Sequence, residues 1–83
     1  KLREQVREII KQISPKISMH DFRVVWGVTH SNLVFDICVS FEFSISDSEL
    51  VEKITNEIKK LDSTYYTVIT VDHDYIPADE NGL

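Results

Sequence analysis

The sequence predicts an α+β domain of two layers, a three-stranded sheet with two helices on one face. Three observations predict it. Residues 2–13 and the segment after Ser46 carry apolar side chains at helical spacing. Residues 33–43 alternate apolar and polar with the period of a strand. Two further β-rich runs flank these segments, and the order becomes α-β-β-α-β.

The first helix follows from Leu2, Val6, Ile9, Ile10 and Ile13, which fall on one face. Pro15 stops it, because proline lacks the amide donor and disfavours helix in the residue before it. Residues 19–28 favour a strand through Val24, Val25, Trp26 and Val28, with Gly27 marking a bulge or a close approach. Thr29-His30-Ser31-Asn32 turns the chain. In the second strand Phe35, Ile37, Val39, Phe41 and Phe43 face the core, and Val34, Asp36, Cys38, Ser40 and Glu42 lie on the other face.

Ser46 and Glu49 have the spacing of a capping box. The helix they open carries Leu50, Val51, Ile54, Ile58 and Leu61 on one face, and Asp62-Ser63 end it. Its acidic start and Lys59-Lys60 near its end suit the helix dipole. Residues 65–73 form a third strand, with Tyr65, Thr67, Ile69 and Val71 on one side and Tyr66, Val68, Thr70 and Asp72 on the other. The crossover should be right-handed, making the third strand parallel to the second only if both lie in one sheet with that connection. The whole is a ferredoxin-like two-layer sandwich in αββαβ order, occupying residues 1–76, with residues 77–83 a mobile tail. The uncovered sheet face would carry Asp36, Cys38, Thr70 and Asp72.

Eighty-three residues make one domain with a limited core, since a chain this short buries only ~60–65% of its unfolded surface. Dimerisation or docking on a larger protein would supplement it. A net charge of −5 without a basic stripe argues against nucleic acid and against direct binding to anionic lipid, and is compatible with attracting cations. No run reaches the ~18–20 apolar residues of a membrane span. The single cysteine, Cys38, excludes an internal disulfide and fits a reducing compartment. The chain starts inside a helical pattern without an initiator Met, as expected of a domain excised from a longer protein.

Catalysis finds little support. There is no phosphate-cradling glycine loop, no nucleophile elbow, and a mid-strand cysteine is most often a small hydrophobe. Metal binding is better founded. Imidazole, thiolate and carboxylate are zinc-type ligands, and His20, Cys38 and Asp72 supply one of each from three segments. His30, His73 and Asp36 are further candidates; strand alternation places Asp72 and Asp74 on one face and His73 on the other. One conflict stands out. If Phe22 and Val24 face the core, simple alternation sends His20 to the helix side, away from Cys38, unless a bulge intervenes at Asp21.

Three stretches, His20-Asp21-Phe22-Arg23-Val24, Thr29 through Asp36, and Val68-Ile69-Thr70-Val71-Asp72, together resemble the C-terminal cytoplasmic domain of the cation diffusion facilitator family, over about residues 3 to 75. The resemblance implies a ferredoxin-like domain that follows a six-helix membrane part exchanging a divalent ion for protons. It implies pairing as a homodimer, with metal at the interface shifting the arrangement of the two copies. By position His20 matches the family's His-Asp pair, Cys38 falls on a mid-strand histidine, and Thr70-Val71-Asp72 replaces a His-x-Asp pattern. Asp72 thus keeps a carboxylate where Thr70 loses an imidazole.

The sequence is therefore read as the cytoplasmic regulatory and dimerisation domain of a bacterial metal-ion efflux transporter, at the cytoplasmic face of the inner membrane. Its partners are a second copy and the transmembrane part of the same transporter. Its ion is zinc, with manganese or iron as alternatives, because a thiolate favours zinc while carboxylate and water tolerate the others. Two alternatives are a purely structural dimerisation domain with a degenerate metal site and a small-ligand module of ACT type.

Overall fold

The structure, a computed structural model, describes residues 1–40 and 45–74. The elements run α1 (Leu2–Ile13), β1 (Ser18–Val25), β2 (Ser31–Ser40), α2 (Asp47–Leu61) and β3 (Tyr65–Asp74). This is the predicted α+β sandwich in αββαβ order. The predicted tail, the boundary at residue 76, and Phe41 and Phe43 lie outside the described residues.

The strands form one sheet in the order β1-β2-β3. β1 is antiparallel to β2, and β2 is parallel to β3, from Ser31 opposite Tyr65 to Ser40 opposite Asp74. The core lies between the sheet and the helices. Leu33, Phe35, Ile37 and Val39 of β2 meet Val6 and Ile10 of α1 and Leu50, Ile54 and Ile58 of α2, all buried. Burial of apolar area at ~25 cal/mol per Å² makes this cluster the main source of stability.

Local chemistry sets the element ends. The capping box forms: the Glu49 N–H donates to Ser46 Oγ at 3.2 Å, and the Ser46 N–H donates to Glu49 Oε1 at 3.3 Å. Beyond α2, Asp62 Oδ1 accepts from the Thr64 N–H at 2.9 Å and from the Thr64 hydroxyl at 2.7 Å. Buried Ser31 joins two connections, accepting from the Gly27 N–H at 3.2 Å and donating its own N–H to Thr64 O at 3.0 Å.

Two sequence-based expectations are corrected and a third, for Gly27, is narrowed to one of its two alternatives. β1 ends at Val25, so Trp26 and Val28 sit in the hairpin connection and β2 begins earlier, at Ser31. Gly27 marks a close approach and no bulge, since a Cβ there would collide with the carbonyl oxygen of His30. Leu61, predicted for the core, is 41% exposed, because it lies in the last turn of α2 and lines a surface groove with Ile9 and Ile13. Among the described residues no helix is long and apolar enough to cross a membrane.

Candidate metal face of the sheet

The register slips between His20 and Arg23, where Asp21 and Phe22 together oppose Phe35. Asp21 has φ 57, the left-handed conformation of a bulge residue. Aspartate tolerates it better than most residues do, because its short polar side chain bonds locally. Phe22 still turns inward, with its ring centroid 5.7 Å from that of Phe35. Without the extra residue His20 would point the same way as Phe22. With it, His20 pairs with Asp36 on the open face.

The open face is thus a grid. One row runs Ser18, Cys38, Asp72, and the next runs His20, Asp36, Thr70. Cys38 and Asp72 are direct neighbours on parallel strands, where backbones lie ~4.8 Å apart. Within β1, His20 Nε2 lies 3.0 Å from Ser18 Oγ, so the ring leans toward the Cys38 row. His20 and Asp72 are exposed, while Cys38 and Asp36 are half-buried.

The other candidates lie elsewhere. His30 precedes β2 at the opposite end of the sheet, stacked on Tyr66 with centroids 4.5 Å apart and with Nδ1 3.2 Å from Thr29 Oγ1. Tyr66 pairs with Asn32, and six residues of strand, ~20 Å, separate that row from Cys38. His73 is on the helix face, with Nε2 3.0 Å from Asp47 Oδ2. Ser18 was not singled out from the sequence, because its place beside Cys38 depends on the register downstream of the bulge.

The donor chemistry fits a zinc-type ion, with a thiol and a carboxylate side by side and an imidazole one row away. In one chain it fits as part of a coordination shell. Among the described residues no three His, Cys, Asp or Glu side chains gather around one point. The remaining ligands would come from water or from a second copy.

Toward the hairpin, the same face and the connection beside it carry exposed apolar side chains among the polar Arg23 and Asn32. Val25, Trp26, Val28, Tyr66 and Val68 are, with Leu61, the exposed large hydrophobics among the described residues, and half-buried Val34 lies between β1 and Val68. Lys59 Nζ sits 4.0 Å from the Tyr66 ring centroid.

Three solved structures of metal-transporter proteins share this fold. The chain superposes on CzrB, a proposed zinc transporter, with a TM-score of 0.71 at 16% identity, over 87% of this chain and 92% of the other. It superposes on the metal-bound C-terminal domain of the CzcD transporter from Thermotoga maritima with a TM-score of 0.68 at 21% identity, over 95% and 92%. A zinc form of CzrB gives 0.69 at 16% identity, over 86% and 83%. At these identities the likeness is one of fold. No protein-family model matches the sequence, and no curated protein matches it significantly.

Proposed function

We propose that this chain is the cytoplasmic regulatory and dimerisation domain of a divalent metal-ion efflux transporter. Two copies pair through their open sheet faces and bind a zinc-type ion between them. The observation that carries this reading is the Asp21 bulge, which brings His20 onto the face that holds Cys38 and Asp72. The shared fold with a metal-bound transporter domain supports it.

Cys38 as thiolate, Asp72 as carboxylate and His20 as neutral imidazole would hold the ion, and the exposed apolar side chains toward the hairpin would supply contact area between copies. The ion neutralises donors that each copy presents incompletely and so favours the paired, closed arrangement. The shift it causes is limited to its difference in affinity for the two arrangements. The thiolate selects zinc over manganese or iron. The domain acts at the cytoplasmic face of a bacterial inner membrane, joined to the transmembrane part of the same transporter. This reading assigns it a binding role and no catalysis.

The test is calorimetric titration of the reduced, chelator-stripped chain with zinc, manganese run in parallel. Zinc binding that disappears in the Cys38→Ser/Asp72→Asn double variant supports the reading. About 0.5 ion per chain identifies a site shared by two copies. A dimer that gives no heat with either metal at two temperatures assigns a purely structural dimerisation role, to which the Thr70 departure already points.

A further inference from the structure

β3 carries a candidate ligand on one face and an anchor on the other. Asp72 faces the open side opposite Cys38. Its neighbour His73 faces the helices, where Nε2 lies 3.0 Å from Oδ2 of Asp47, the first residue of α2. The contact joins residues 26 apart and ties the end of the sheet to the start of a helix. The two side chains are 36% and 51% exposed, so the pair is a surface contact of modest strength. Successive Cα atoms are only ~3.8 Å apart, so a held His73 holds the backbone from which Asp72 projects.

We infer that Asp47, acting through His73, is a positioning residue for the Asp72 ligand. The inference rests on the proposed metal-binding function. It makes the two faces of the sheet communicate: an ion on Asp72 and the Asp47–His73 contact strengthen one another by the same factor. An exposed pair sets that factor at about two- to five-fold. Asp47 touches no ion in this arrangement, and its influence passes along one strand.

Zinc titration of four proteins tests it: the wild-type chain, Asp47→Ala, Asp47→Asn and Glu52→Gln, with amide exchange at residues 72 and 73 measured without metal. Glu52 is an exposed carboxylate on the same helix that serves as a charge control. Asp47→Ala is expected to bind zinc about two- to five-fold more weakly, with faster exchange at both amides. Asp47→Asn keeps an acceptor for the ring N–H and is expected to stay within about two-fold of wild type, as is Glu52→Gln. If the wild-type chain binds zinc and Asp47→Ala binds it equally well, this inference is overturned and the proposed function stands. Equal weakening in Asp47→Ala and Glu52→Gln would assign the effect to net charge and also overturn it. A wild-type chain that binds no zinc removes the proposed function and this inference together.

Discussion

His20 pairs with Asp36 across β1 and β2 on the open face, while Met19 and Phe22 on either side of it pack toward the helices. The arrangement is possible only because Asp21 adds one residue to β1 in a left-handed conformation. A strand alternates strictly, so one inserted residue reverses the direction of everything upstream of it. The candidate ligand set depends on that single backbone choice.

The bulge is testable by substitution. Left-handed backbone costs ordinary L-residues ~1–2 kcal/mol, less for Asp and nothing for Gly. Asp21→Gly is expected to keep or raise stability by up to about 1 kcal/mol, and Asp21→Val to lower it by about 1–2 kcal/mol. Urea denaturation measures both. Equal stability of the two variants would contradict the positive φ at this position.

Core position should separate side chains that share one helical stripe. Ile54 is fully buried between α2 and the sheet, whereas Leu61 is 41% exposed. Ile54→Ala is expected to cost about 2–5 kcal/mol and Leu61→Ala about 1 kcal/mol or less. Comparable losses in chemical denaturation would show that α2 packs along its whole length.

Asp62 makes a pH-dependent contribution. The Thr64 N–H, and then its hydroxyl, donate to the carboxylate and hold its pKa below the ordinary 3.8. A depressed carboxylate pKa stabilises the fold above the unfolded value and is lost as pH falls through the folded one. Asp62→Asn should therefore be less stable than wild type at neutral pH, with the gap closing as pH falls through and below 3.8. A gap that stays constant over that range would show that the carboxylate charge plays no part.

The exposed apolar side chains toward the hairpin make a separate prediction. Val68 is 52% exposed and Trp26 67%. Under the proposed pairing of open faces, Val68→Asp and Trp26→Ala are each expected to weaken self-association at least about ten-fold, and to change monomer stability by about 1 kcal/mol or less. Sedimentation equilibrium reads the first effect and thermal unfolding of dilute protein the second. Unchanged association in both variants would move the contact to another surface.

Much of the fold is legible in the residue pattern. The helical spacing from Leu2 to Ile13, the Ser46–Glu49 capping box and the alternation of Phe35, Ile37 and Val39 all point to the elements observed, because each depends on neighbours within a few residues. The limits of the hairpin were less legible. Trp26 and Val28 have high strand propensity, yet they lie in the connection, where Gly27 passes close to the His30 carbonyl. The candidate site was legible in part, as residue types and as the shared face of β2 and β3. Asp36, Cys38, Thr70 and Asp72 follow from the alternation of their own strands, but the side occupied by His20 does not.

By itself, then, the sequence determined the order and kind of the elements, the helical faces that build the core and the chemical character of the candidate ligands. Those properties are encoded locally, in periodicity and in side-chain chemistry. Only the tertiary structure decided that His20 joins Cys38 and Asp72 on one face, and which rows the candidate ligands occupy. Strand register is settled by contacts between distant segments, such as Cys38 with Asp72, and by the φ angle of Asp21, which no periodic pattern reveals.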